Sequence, residues 1–213
     1  MKTARLIEML AEGVETVPPG GVPRRHAAAF LWGIGGALLL MVPLLGLRAD
    51  LGDAVRTLAF WGKGAWIALL LAGAVLALAR LSRPGCSAGR AWFLVAAPVL
   101  ALWCAAAAGL AGAAPDARLP MVFGQTWRTC PLLVALLSLP MLAASFQALR
   151  GLAPTRPVLA GWAAGLVSGA LGALVYCLHC TESAAPFLGT WYLLGILIPA
   201  VAGAVLGPRW LRW

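Results

Sequence analysis

Apolar residues fall in six blocks of about twenty, at positions 27–47, 60–79, 91–112, 131–149, 158–178 and 186–206, separated by short polar or charged breaks. A hydrocarbon core takes about 20 apolar residues to cross as a helix, so each block predicts one membrane span. The pattern predicts an all-α polytopic membrane protein: six transmembrane helices over 27–213, preceded by an N-terminal arm and linker over 1–26. No break between blocks has room for a second folded domain. The first block is longer than a signal-peptide core and starts well inside the chain, so it reads as a retained span, with no cleaved targeting segment expected.

The leader has a different rhythm. Leu6, Met9 and Leu10 recur at helical spacing, with Ile7 beside them and Lys2, Arg5, Glu8 and Glu12 on the other faces, which predicts a short amphipathic helix over 1–14. Fourteen residues are marginal as an isolated helix in water. Such an arm is expected to order against a partner, a membrane surface or the rest of the protein. The run Val17-Pro18-Pro19-Gly20-Gly21-Val22-Pro23 predicts a linker rather than a helix, delivering Arg24 and Arg25 to the membrane face.

Charge adds an orientation. The chain is 62% hydrophobic and 11% charged, with sixteen Lys and Arg and a net charge of +9. Eleven of the basic residues fall on the side of the termini; only Arg48, Arg56, Lys63, Arg118 and Arg128 fall on the other. The positive-inside rule therefore places both termini in the cytoplasm. Attraction to anionic headgroups accounts for the remaining bias. No direct nucleic-acid partner is expected; the bilayer is.

Within the spans, Gly161, Gly165 and Gly169 strip bulk from one helical stripe, which predicts a close helix–helix crossing. Trp61, Trp66, Trp127, Trp191, Trp210 and Trp213 lie near span ends, where they are expected to anchor at the interface. Pro43, Pro98, Pro140 and Pro199 are expected as local kinks. No ionisable residue falls near a span centre, and Lys63, near the outer end of the second span, is expected to snorkel. That argues against a pump or proton-coupled carrier. With only His26 and His179, no Gly-rich phosphate loop, no zinc-protease helix and no nucleophile elbow, an enzyme is not expected either.

What remains is thiol chemistry. Cys86, in a cytoplasmic connection, and Cys104, mid-span, read as inert small hydrophobes. Cys130, Cys177 and Cys180 fall at the outward ends of the fourth and fifth blocks, and Cys177 and Cys180 share a face if helical. A facing pair in an oxidising compartment suits a disulfide, as a permanent staple or a switch. Thiolates with His179 suit a transient Cu or Zn ion at Cys130, His179 and Cys180.

The runs Gly124-Gln125-Thr126-Trp127-Arg128-Thr129-Cys130-Pro131, Leu149-Arg150-Gly151-Leu152-Ala153-Pro154-Thr155-Arg156-Pro157, Leu178-His179-Cys180-Thr181-Glu182 and Trp191-Tyr192 together resemble the NrsF family of six-span bacterial inner-membrane proteins. The likeness extends along nearly the whole chain. It implies an anti-sigma factor that holds an extracytoplasmic-function sigma factor at the membrane and releases it on oxidative or heavy-metal stress. It also implies that Cys130 and Cys180 are the responding thiols; Cys177 is not part of the family pattern. The placement of Leu6, Ile7, Met9 and Leu10 as the sigma-binding contact is inferred from the arm's location, with Arg90, Arg150 and Arg156 as further contacts. The rival expectation is a metal or small-solute permease lined by Cys130, His179 and Cys180; a thiol-exchange enzyme is the third.

Overall fold

The computed structural model describes residues 3–11, 21–152 and 154–211. It is helical throughout, and six helices are long and apolar enough to cross a membrane. The short α1 (Thr3–Ala11) precedes them. The predicted arm is therefore a helix over its described part. Residues 1, 2 and 12–14 of the expected range lie outside the described residues, as do the side chains of Leu6 and Leu10. Ile7 and Met9 are exposed.

The first span, α2 (Gly21–Leu44), begins earlier than its sequence pattern predicts. Gly21, Val22 and Pro23 form its first turn instead of a linker, because first-turn N–H groups have no helical partner and a proline there removes nothing. Positions 17–20 lie outside the described residues. After a single turn at α3 (Leu51–Ala54), the second and third spans follow as α4 (Leu58–Leu81) and α5 (Ala91–Gly112). An unanticipated short helix, α6 (Pro115–Phe123), starts at a proline in its first turn and ends at Gly124, whose φ of 53° is accessible to glycine. The fourth and fifth spans are α7 (Cys130–Arg150) and α8 (Pro157–Tyr176). The last, α9 (Ala185–Trp210), contains a π-helical turn over Leu188–Tyr192.

α8 is the centre of the bundle, with α4, α7 and α9 packed around it, while α5 stands at the periphery against α4 and the start of α9. Lipid is as apolar as leucine, so hydrophobicity alone does not bring spans together; close approach of backbones does. The glycine stripe supplies it. Cβ atoms on Gly161 and Gly165 would overlap the Gly203 and Pro199 carbonyls of α9, and one on Gly169 would stand 2.6 Å from the Ile196 carbonyl oxygen. Gly73 brings α4 against the Leu94 backbone of α5 in the same way.

Pro43, Pro98, Pro140 and Pro199 all lie inside helices. Trp66 departs from its expected role as an interface anchor. It is 8% exposed and its indole donates to the Pro98 carbonyl at 2.8 Å, so it packs α4 on α5. Trp61 and Trp210 are exposed near helix ends. Trp127 and Trp191 stack at 5.1 Å beside Phe123, and the Trp191 indole donates to Val122, fastening α6 to α9. Trp213 lies outside the described residues.

Candidate functional site: a thiol cluster around a buried lysine

Cys130, Cys177 and Cys180 meet at the bundle end opposite the start of α2. Cys130 opens α7, whose next residue, Pro131, is suited to a first helical turn. Cys177 caps α8, and residues 177–180 make one further turn, with the Cys180 N–H donating to the Tyr176 carbonyl at 2.9 Å. All three thiols are buried and none is in a disulfide. All three belong to the same contiguous buried core. Cys86 and Cys104 are instead exposed, contrary to the expectation of small buried thiols; Cys104 lies on the outer side of α5, the most peripheral span.

The cluster contains a residue that sequence reasoning placed in water. Lys63 is 4% exposed. Its ammonium donates to the main-chain oxygens of Glu182 at 2.8 Å and Cys180 at 3.2 Å, and sits 4.4 Å from the centroid of the Tyr192 ring. The chain loops back over the lysine between α8 and α9, so its stem does not snorkel. Among the described residues, the only ion pair within salt-bridge distance is Arg48 with Asp50, so Lys63 is held by carbonyl dipoles and an aromatic face. The π-turn carries Tyr192, and such turns often mark functional places in a helix.

Tyr176 and Tyr192 stack at 5.7 Å, and their buried hydroxyls lack a well-formed hydrogen bond. Cys177 and Cys180 share the buried core with both tyrosines. At the C-cap of α8, burial pushes the Cys177 thiol up to about 11, against which the nearby Lys63 charge acts only partially. Cys177 is therefore a neutral, poorly nucleophilic thiol at neutral pH while the cluster stays closed.

Three connections grip the cysteine turn. Arg48 binds it twice, through its N–H to the Leu178 carbonyl at 3.1 Å and its guanidinium to the Cys180 carbonyl at 3.4 Å. The same guanidinium holds Asp50 by two bonds of 2.7 Å, and that hydrogen bonding keeps the exposed Asp50 carboxyl below its usual range. His179 Nδ1 lies 3.1 Å from the Gly46 carbonyl, so the imidazole faces the loop after α2. From the other side, the Gln125 N–H donates to Glu182 at 2.8 Å, where Gly124 leaves space that a Cβ would fill. Among the described residues, no three His, Cys, Asp or Glu side chains form a group able to hold a metal ion. The structure thus gathers the three cysteines but does not bring Cys130, His179 and Cys180 together as a metal-binding set.

Gln125 and Glu182, which close the cysteine turn from one side, belong to the Gly-Gln-Thr-Trp-Arg-Thr-Cys-Pro and Leu-His-Cys-Thr-Glu runs, whereas Gly46, Arg48 and Lys63 hold it from outside them. The family description "NrsF: Negative regulator of sigma F" matches residues 10–213. The chain belongs to the NrsF family. Two relatives of this family are similar from end to end. The "Probable anti-sigma-F factor NrsF" of Azospira oryzae is 50% identical over 213 residues, covering all of both chains. The "Anti-sigma-F factor NrsF" of Caulobacter vibrioides is 43% identical over 221 residues, again covering both. No solved structure matches the chain.

The other members of the expected site lie elsewhere. Arg90, Arg150 and Arg156 are exposed at the bundle end from which α2 begins. Arg150 also donates to the Trp210 carbonyl and lies over the Trp210 ring, which ties α7 to the end of α9.

Proposed function

We propose that this NrsF-family chain is a membrane-bound anti-sigma factor that holds an extracytoplasmic-function sigma factor at the bacterial inner membrane, with both termini in the cytoplasm. The observation that carries this reading is full-length similarity, at 43–50% identity, to two proteins named as anti-sigma-F factors. Residues 1–26 form the binding arm and 27–213 the membrane body. In the arm, Leu6, Ile7, Met9 and Leu10 supply the apolar contact; the exposure of Ile7 and Met9 supports it, because an amphipathic helix this short needs a partner to stay ordered.

Release follows from a thiol event at the outward end, at Cys130 and Cys180, with Cys177 and His179 as close neighbours. The stimulus is oxidative or heavy-metal stress. Burial of all three thiols around Lys63 supports a switch that is closed at rest, since oxidant or metal gains access only as the cysteine turn opens. Shifting a bound-to-free ratio from 99:1 to 1:99 takes about 5.5 kcal/mol. A disulfide contributes roughly 2–4 kcal/mol and a metal–thiolate site more.

Two experiments test the proposal separately. A tagged peptide of residues 1–25 is offered to the organism's cytosol beside a Leu6→Asp/Leu10→Asp control; capture of a sigma factor by the native peptide alone is expected. Capture by neither peptide, with none by full-length protein in detergent, refutes the anti-sigma reading. In cells, the Cys130→Ser/Cys180→Ser variant is expected to abolish induction of target transcripts under stress. Normal induction removes the thiols from the mechanism and leaves the anti-sigma reading standing.

A further inference from the structure

The seam between α2 and α7 is closed on its inner side and open on its outer one. Ala29, Gly33, Ala37 and Met41 of α2 are buried, and a Cβ on Gly36 would stand 2.6 Å from Pro140 Cβ, so the two helices touch closely there. Outside that contact runs a crevice of about 540 Å³, within the range of about 300–1,000 Å³ typical of small-molecule sites. Its walls are small: Ala28 and Gly36 from α2, Ala143 and Ala144 from α7. Ala28, Trp32, Ala143 and Gln147 on its border are exposed, so in a bilayer it opens toward lipid.

Two properties of the crevice bear on what fills it. The first is its length. It extends from Arg25 to Gly36 and Pro140. That stretch of α2 rises about 16 Å, roughly half of a hydrocarbon core of about 30 Å. A slot one leaflet deep suits an acyl chain hung from the interface, whereas a transmembrane partner helix needs a groove along the full span. The second is its charge. Arg25 closes the arm end, and its guanidinium lies in the space that a Cβ on Gly151, the C-cap of α7, would take. Neither α2 nor α7 carries an acidic residue, and among the described residues Arg25 has no carboxylate within salt-bridge distance. Arg24, Arg150 and Arg156 are exposed at the same bundle end. A guanidinium offers donors in a planar fork that matches phosphate oxygens. The crevice of about 480 Å³ between α2, α4 and α8 has no charged or amide side chain in its wall and lacks this second property.

We propose that the α2–α7 crevice binds one acidic phospholipid, with an acyl chain laid along the alanines and the phosphodiester on Arg25. The lipid completes the seam at the place where the arm joins the membrane body. This site goes beyond the anti-sigma reading. It needs only that the spans lie in a bilayer, so it stands or falls apart from sigma-factor binding and from the thiols.

The test uses the full chain, stripped of lipid in a mild detergent, and native mass spectrometry, which resolves each bound lipid by its mass. Phosphatidylglycerol and phosphatidylcholine with identical acyl chains are the probes. The first lipid bound is expected to be phosphatidylglycerol in preference to phosphatidylcholine. Arg25→Gln is expected to weaken phosphatidylglycerol about fivefold more than phosphatidylcholine, equivalent to the ~1 kcal/mol of one basic residue at an anionic surface. Ala28→Leu and Ala143→Leu fill the crevice from opposite walls and are expected to abolish the preference. Both positions are exposed, so neither substitution enters the packed core. Equal affinity of the parent for the two lipids overturns the proposal, and so does a parental preference retained in Arg25→Gln or in Ala28→Leu. A dimer that Ala28→Leu disperses while lipid binding persists assigns the crevice to a second copy of the chain and also overturns it.

Discussion

The α8–α9 seam makes a prediction in which the same substitution has opposite signs at different places. Gly165→Ala would push a methyl group into the Pro199 carbonyl, and Gly169→Ala would leave one about 0.4 Å inside the 3.0 Å that real Cβ contacts respect. Neither obstacle is a flexible side chain, so the helices must part. A radial gap of about 0.5–1 Å forfeits roughly a quarter to a half of the dispersion energy of the atoms facing it. Overpacking of this kind costs about 1–3 kcal/mol, from which the better helix propensity of alanine recovers about 0.5–1 kcal/mol. Gly165→Ala is therefore expected to destabilise the bundle by about 1–2 kcal/mol. At Gly35 and Gly64 a Cβ meets nothing within 4 Å, so alanine there is expected to be neutral or to stabilise by up to about 1 kcal/mol. Reversible SDS unfolding in mixed micelles, followed by tryptophan fluorescence, measures all four. Equal stabilities for Gly165→Ala and Gly35→Ala would refute the claim that backbone contact holds this seam.

Further expectations concern the cysteine turn. Lys63→Met keeps the stem's volume and removes a buried charge, so it is expected to leave unfolding free energy within about 1 kcal/mol of the parent. Lys63→Ala, which also opens a cavity, should lose about 2 kcal/mol or more in the same SDS titration. A water-soluble maleimide at neutral pH should label exposed Cys86 first, with Cys130, Cys177 and Cys180 protected until SDS unfolds the bundle; mass spectrometry of the labelled peptides reads the order. The Arg48–Asp50 pair has a defined pH window. Because Asp50 is held below its usual carboxyl range, its contribution is fully present above the unfolded value, about 3.9, and is lost as pH falls through the lower folded one. The protection factors of the amides at residues 46–50 should then carry a constant contribution from this ion pair between pH 5 and 8, so Asp50→Asn should differ from the parent by the same factor across that window and converge with it in acid.

The spans were legible because twenty apolar residues in a row admit few structures in lipid, and the glycine stripe because its spacing repeats on a helix face. Both are local signals. The boundary of α2 was missed because proline reads as a breaker, although in a first turn it breaks nothing. The burial of Lys63 was illegible for the opposite reason: the groups that cover it, the Cys180 and Glu182 carbonyls and the Tyr192 ring, lie more than a hundred positions away. A hint was present, since a lysine several residues inside an apolar run needs partners and none of the acidic residues lies within a span. Trp66, deeper in the same block, carried a similar hint. The meeting of Cys130 with Cys177 and Cys180 followed from antiparallel neighbours, whereas the orientation of His179 toward Gly46 depended on a loop with no sequence period.

The position of Lys63 also bears on how the protein is made. α4 emerges from the ribosome and enters the membrane long before residues 180–192 exist, so its ammonium must first remain at the aqueous edge, where a charge near a span end is least costly. It acquires its carbonyl partners and aromatic cover only when the final loop and last span arrive. Burial of this one cation is therefore a late assembly event, and a chain that has not placed its last helix keeps a hydrated lysine in the place where the finished protein keeps its thiols dry.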